Sequence, residues 1–380
     1  MIYLDQASTS FPKAPGVGEA IKDFIENSCV NINRGSFSLS YDATQIVYKT
    51  REELVKFFGG TDEKCIFTQN VTHAINILLK GFLKKGDHII VSALEHNAVM
   101  RPLTQIGVEY SLIPINRDGE VDIGKIEDLI QKNTVAIMTT AASNVCGTIL
   151  PIQKIGEIAK KNNLKYFLDS AQLAGYLDIN IKEMNIDALA LTGHKSLLGP
   201  QGIGALLLKE EFGKELSPLI SGGSGSMSDQ LYMPDFLPDR FEAGTLNLPG
   251  IAGLYTAIKY VKTHMSEIRK HEFVLCKYFL EKMEKLNIKV VGKDSKSSTE
   301  YNRTPTVSID LGDDTLDLAN FLEIEKEIAT RIGLHCARIA HENLGTYPKG
   351  TLRFSFGHKN TIEEVKFAVE SIKEYLDEKS

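Results

Sequence analysis

The sequence predicts an α/β protein: a larger part built on a mostly parallel seven-stranded sheet, and a smaller α+β part. From about residue 63, seven short apolar runs follow one another: "CIFT", "HIIVSA", "YSLIPI", "VAIMTT", "YFLDS", "DALALT" and "IGALLL". They are near-continuous instead of alternating, as strands buried on both faces are. Helical patterns separate several of them. Beyond residue 250 the style changes to long helices mixed with short strand-like runs.

Taken in order, helices are expected at "THAINILLKGFLKK", "DIGKIEDLIQK" and "PIQKIGEIAKKN", the first and last amphipathic. The later block holds "GIAGLYTAIKYV" and the long helix "HEFVLCKYFLEKMEKLN", then the runs "IKVVG", "TPTVSIDL", "EIATRIG" and "TLRFSFG", and a closing helix "TIEEVKFAVESIKEYLDE". The expected division is a large unit of residues 14–250 and a small unit of 1–13 with 251–380. One stretch reads as a linker, "ISGGSGSMSDQLYMPDFLPDR" at 220–240, rich in glycine and proline. A loop that long is either a connector or a surface packed against a partner.

The formal charge of −6 comes from interspersed charges. No basic patch suggests nucleic acid, and no polybasic run suggests a membrane surface, so a small-molecule ligand is expected. Five cysteines (Cys29, Cys65, Cys146, Cys276, Cys336) are an odd number without C-x-x-C spacing. That fits neither a disulfide framework nor a zinc ribbon and points to a reducing, cytoplasmic setting. The opening "MIYLDQAST" lacks a signal-peptide pattern, and no apolar run is long enough to span a bilayer.

In an open α/β sheet the ligand lies beyond the carboxyl ends of the strands. The residues just past each run are therefore the candidates for the site. After "CIFTQN", Thr72 is placed to cap a helix whose free N–H groups would seat a phosphate. Alone it is an ordinary cap. "HIIVSALEHN" delivers Glu95 and His96, and an imidazole there can lie on an aromatic ring, relay a proton or simply be a satisfied polar group. "VAIMTTAASN" delivers Asn144, whose amide can bond a phenolate or a carboxylate.

"YFLDSAQ" ends a strand in Asp169, with Gln172 three residues on. Such a carboxylate is a helix cap unless a pyridine nitrogen faces it, in which case it keeps the ring protonated and electron-withdrawing. "LTGHKSLLGPQGIG" supplies His194 and Lys195, a desolvated amine able to condense with an aldehyde, followed by glycines that let the chain turn tightly. Each piece has a bland reading. Together they describe pyridoxal 5'-phosphate.

With those residues assembled, the chain resembles the class V aminotransferase family within pyridoxal-phosphate fold type I, and in particular its cysteine desulfurase and selenocysteine lyase branch. "IYLDQAST" is similar to the family's "YLDNAAT", "SNVCGT" to "SNVLGT", "LDSAQ" to "VDGAQ", "LTGHK" to "SGHK", and "RFEAGTLN" to "RFEAGTPN". The resemblance implies that Lys195 is the covalent anchor of the cofactor, that Asp169 pairs with the ring nitrogen, and that His96 stacks on the ring. It places Gln172 and Asn144 near the phenolic oxygen, and Thr72 and His194 at the phosphate. Thr245, in the "EAGT" element, would reach the phosphate of a neighbouring subunit, which implies a homodimer with sites at its interface and gives the 220–240 loop an interface role.

"RIGLHCARIAH" is similar to the "R-x-G-x-H-C-A" element of group II desulfurases, so Cys336 is the implied nucleophile. Its thiolate would be favoured by His335 or Arg338. Read alone, Cys336 is a small hydrophobe, and a metal cluster with His335 and His341 lacks further ligands at a sensible spacing. Arg353, in "TLRFSFG", matches the arginine that clamps the substrate carboxylate, alongside Asn144.

The implied reaction converts L-cysteine to L-alanine, with sulfur passing to Cys336 and onward to a protein acceptor. Lys195 serves as base and His96 as proton shuttle at the substrate thiol. A selenocysteine lyase acting on L-selenocysteine would share these residues, and an aminotransferase or β-lyase would not use Cys336. Departures from the family pattern are Gln6, Ser8, Phe37 and "HCARIAH".

Overall fold

The computed structural model describes residues 1–32 and 38–379; Phe37 lies outside them. Its strands are β1 (Ile2–Tyr3), β2 (Glu63–Thr68), β3 (His88–Ser92), β4 (Glu109–Ile113), β5 (Thr134–Thr140), β6 (Lys165–Asp169), β7 (Ala188–Thr192), β8 (Gly204–Lys209), β9 (Lys289–Val291), β10 (Thr306–Asp310), β11 (Ile328–Ala329), β12 (Arg331–Gly333) and β13 (Thr351–Ser355). The helices are α1 (Val17–Asn27), α2 (Ser38–Phe57), α3 (Val71–Phe82), α4 (Asn97–Ile106), α5 (Ile152–Lys161), α6 (Glu210–Glu215), α7 (Leu248–Lys285), α8 (Thr315–Ile324), α9 (Arg338–Leu344) and α10 (Ile362–Lys379).

The seven runs form one sheet in the order β2-β8-β7-β6-β5-β3-β4. From β7 to β4 all neighbours are parallel, while β8 runs antiparallel to both β7 and β2. Both faces are covered, which explains the unbroken apolar runs. Ile90, Ile137, Leu168 and Leu189 pack on one side with residues of α2 and α5. Their neighbours Ile89, Met138, Phe167 and Ala190 pack on the other with α3 and α4. Adjacent residues thus enter different cores, as the pleat requires.

The later block forms a four-stranded sheet, β12-β13-β10-β9, entirely antiparallel. Val307, Ile309, Leu352 and Phe354 pack there against Phe279 of α7 and Val365 and Ile372 of α10. The expected run "EIATRIG" is broken in two: β11 pairs with β1, and β12 joins the four-stranded sheet.

A second expectation fails. Residues 122–132 form no α-helix but two short 3₁₀ turns, Ile123–Lys125 and Glu127–Leu129. The Asp122 carboxylate accepts the Gly124 N–H at 3.1 Å, a local bond that competes with helix propagation. Ile126 alone of that stretch is fully buried, so too little apolar surface is covered to hold a longer helix. Among the described residues, no helix is long and apolar enough to cross a membrane.

Candidate active site

Strands β3, β5, β6 and β7 lie side by side and parallel, so their carboxyl ends open on one edge. That edge carries His96, Asn144, Asp169 and Lys195, as the sequence predicts. Asp169 closes β6, is 2% exposed and accepts the Ala171 N–H at 2.9 Å. Burial raises its carboxyl, opposed by that N–H and by the Lys195 charge. Three residues past β7, Lys195 is itself lowered to about 8, mainly by burial; Asp169 acts against the shift and Arg353 and Arg331 add to it.

His96 caps α4: its Nδ1 accepts the Ala98 N–H at 3.0 Å. A nitrogen that accepts a backbone N–H carries no proton, so in the neutral ring the proton sits on Nε2. Burial, joined by the Lys195 charge, lowers this imidazole to about 4. His194 is likewise lowered to about 4 by burial, and its Nδ1 is buried without a partner. Its carbonyl accepts from the Ser10 N–H at 2.9 Å and from Lys13 Nζ at 3.0 Å, which pins the segment bearing Lys195. Gln172 gives its amide to the Ala7 carbonyl at 3.1 Å and shares a small recess with Lys195, Gln6 and Glu272.

Thr72 is not the helix cap. Asn70 takes that place, its side chain accepting the His73 N–H at 3.0 Å, and Thr72 lies exposed in the first turn of α3. The capping pattern has two candidates two residues apart, and the one nearer the strand wins because it alone has extended backbone. Gly204 fixes how close β8 comes: a Cβ there would sit 2.6 Å from the Leu191 carbonyl and 2.9 Å from the Asn70 backbone. The glycine run therefore serves close approach at Gly204 and a left-handed turn at Gly202, φ 76°.

On the facing side, Arg353 of β13 is 1% exposed. Its Nη2 donates to Asp5 Oδ1 at 2.7 Å and to Ser8 Oγ at 2.8 Å, and its Nη1 to the Asn144 carbonyl at 3.0 Å. Asn144 spends its amide on the His335 carbonyl at 2.7 Å. The Asn97 N–H donates to the Cys336 carbonyl, also at 2.7 Å. Two bonds, from the start of α4 and from the loop after β5, thus hold the turn that carries Cys336, whose backbone is left-handed at both His335 and Cys336, φ 46° and 55°. The thiol is exposed.

The cation beside that thiol is neither of those expected. His335 is buried, holds Thr351 Oγ1 at 2.9 Å and is pushed well below its ordinary value by burial, so it stays neutral. Arg338 is engaged with Glu342 at 2.8 Å. Arg331 is the group that reaches the sulfur, its Nη2 3.8 Å from Cys336 Sγ. Sequence reasoning missed it, although it is the first letter of the "R-x-G-x-H-C-A" element. Asp5, which anchors Arg353, was missed as well.

Thr245 stands apart from these residues. It is exposed and lines a cavity of about 210 Å³ with Arg51 and Glu242, and neither Lys195, Asp169 nor Arg353 borders that cavity. The Glu242 carboxylate takes both Arg51 nitrogens, at 2.7 and 2.6 Å, and the Phe67 N–H.

The strand-edge residues fit pyridoxal 5'-phosphate. A buried carboxylate in need of a counter-charge suits a protonated ring nitrogen, a desolvated amine suits an aldehyde, and an orphaned His194 nitrogen suits an acidic group.

A protein with these parts is an α/β enzyme of fold type I. The aminotransferase class-V family model matches residues 2–367, and the chain belongs to that family. A probable cysteine desulfurase of Methanothermobacter thermautotrophicus is 32% identical, covering 98% of this chain and 94% of its own. A cysteine desulfurase of Wigglesworthia glossinidia brevipalpis is 33% identical over 89% of this chain and 84% of its own. Among solved structures, the apo form of a cysteine desulfurase from Thermococcus onnurineus superposes with a TM-score of 0.90 at 30% identity, covering 99% of this chain and 94% of that one.

Proposed function

We propose that the chain is a pyridoxal 5'-phosphate-dependent cysteine desulfurase, which converts L-cysteine to L-alanine and takes the sulfur onto Cys336 as a persulfide. When bound, the cofactor supplies an aldehyde for the substrate amine and a ring that withdraws electrons from the substrate Cα. Everything else is asked of the chain's own side chains.

Lys195, lowered to about 8, holds an unprotonated fraction near neutral pH and serves as the base that takes the Cα proton. Asp169 would pair with the ring nitrogen and keep it protonated. Arg353, with its planar fork fixed by Asp5, Ser8 and Asn144, receives the substrate carboxylate. His96, with its proton on Nε2, is the shuttle at the substrate thiol: it gives up that proton and takes the thiol proton in its place. The Cys336 thiolate attacks the substrate sulfur. A sulfur–sulfur bond forms, the carbon–sulfur bond breaks with its electron pair going to carbon, and two protons, one delivered to Cβ and one returned by Lys195 to Cα, leave alanine. Thr72 and His194 are assigned to the phosphate, and Gln172 and Asn144 to the phenolic oxygen.

The observation that carries this reading is the exposed Cys336 thiol beside Arg331, a cation that also bears on Lys195. A transaminase needs no such thiol. The test is to incubate loaded protein with L-cysteine and measure alanine, sulfide and the mass of the Cys336 peptide. Alanine without a persulfide on that peptide would sink the reading.

The same reading divides the chain into a large unit of residues 14–250 and a small one of 1–13 with 251–380. It makes the protein a cytoplasmic homodimer in which Thr245 meets the partner's phosphate. Support comes from the loop after α6, where Leu231 and Tyr232 are 101% and 87% exposed, apolar surface that a second copy would cover. Light scattering decides the stoichiometry.

A further inference from the structure

Arg331 and Arg353 are directly opposed across the antiparallel β12–β13 pair. Like charges in that position repel, and the Arg331 charge disfavours the charged form of Arg353. Between them stand one carboxylate, Asp5, and one hydroxyl, Ser8. Ser8 Oγ accepts from Arg331 Nη1 at 2.6 Å and from Arg353 Nη2 at 2.8 Å, and donates its proton to Asp5 Oδ1 at 2.8 Å. Every capacity of that hydroxyl is used. Arg331 has its second nitrogen on Cys336 Sγ, and Arg353 has its other on the Asn144 carbonyl.

We propose that Ser8 is a positioning residue that yokes the carboxylate clamp to the nucleophile, holding Arg353 toward the substrate carboxylate and Arg331 toward the Cys336 sulfur with one oxygen. The proposal rests on the desulfurase reading and deepens it. Two guanidinium groups against one carboxylate leave a net positive charge, which is the seat for a second carboxylate. The hydroxyl keeps Arg331, which is only half-buried, from turning away into solvent, where it would gain hydration and no longer face the sulfur, and it fixes the fork of the buried Arg353 that Asp5 and Asn144 already hold. Ser8 is one of this chain's departures from the "YLDNAAT" pattern, in which Ala is frequent at this place.

The test uses two alkylating reagents on the loaded protein without substrate, read by the mass of each cysteine peptide. Iodoacetate carries a carboxylate and iodoacetamide does not, so their rate ratio at Cys336 reports the arginine pair. Cys29, also exposed, gives the ratio without it. In the unaltered protein the ratio at Cys336 should exceed that at Cys29 by about tenfold, the size of one hydrogen bond to a charged group. Ser8→Ala should remove most of that excess by slowing iodoacetate alone, and should raise KM for cysteine more than it lowers kcat. Ser8→Thr, which keeps the hydroxyl, should restore both.

A ratio unchanged in Ser8→Ala overturns the proposal. So does an equal acceleration of both reagents, which would mean only a loosened fold, or a Cys336 ratio in the unaltered protein no higher than that of Cys29. Alanine and persulfide formation by the unaltered protein are measured alongside. Their absence would remove the desulfurase reading, while the alkylation ratio would still decide the role of Ser8.

Discussion

Arg353 reaches Asp5 at 2.7 Å across the seam between the first strand and the penultimate element of the chain. The pair is nearly dry on the arginine side, so its geometry is set by the protein and not by water.

A lysine at position 353 keeps the charge but not the fork. It cannot hold Asp5, Ser8 and the Asn144 carbonyl at once and still face a substrate carboxylate. Arg353→Lys is expected to raise KM for cysteine by about 10- to 100-fold, with a smaller change in kcat. Steady-state alanine production measures both. A fall confined to kcat would place Arg353 away from the carboxylate.

Cys336→Ala removes the attacking sulfur and nothing that holds the cofactor. Alanine formation should drop by at least about a hundredfold, while the visible absorbance of the loaded protein stays. Retained turnover in that variant would point to a β-lyase.

Glu272 of α7 is buried, and burial alone lifts its carboxyl to about 8. The folded form keeps a proton that the unfolded chain loses near 4.5, so stability falls as pH rises from about 4.5 to about 8 and stays low above it. Glu272→Gln mimics the protonated acid. Its melting temperature should match that of the unaltered protein at about pH 5 and exceed it by several degrees at about pH 9. Calorimetry at the two pH values checks this, and a pH-independent difference would count against it.

Gly204→Ala puts a methyl where the Leu191 carbonyl and the Asn70 backbone already stand. Overpacking of this kind costs about 1–3 kcal/mol. Because it separates β8 from the cap of α3, affinity for the cofactor should weaken along with stability. Denaturant unfolding and cofactor titration report the two effects, and a variant as stable as its parent would show that β8 can retreat.

How far the sequence could be read follows from what each residue depends on. The seven strands were legible because burial on both faces leaves unbroken apolar runs, and the edge bearing Asp169 and Lys195 follows from strand direction. The stretch at 122–132 misled because its isoleucines and leucine mimic helical spacing, while the local Asp122–Gly124 bond is invisible to periodicity. Thr72 misled because Asn70 competes for the same cap. Arg331 was illegible for another reason: nothing local says that β12 runs beside β13, and only that pairing brings its guanidinium to Cys336. Ser8 could be noticed as a departure, but its two arginine partners lie more than three hundred residues away.

Residues 2–4 are stitched to elements far along the sequence: β1 lies along β11, and the Leu4 carbonyl accepts the Ser355 N–H at 2.7 Å. During synthesis, residues 2–4 therefore have no strand partner until residues 328–355 have been made. The carboxylate clamp, which needs Asp5 against Arg353, is thus among the last parts of the molecule to take shape.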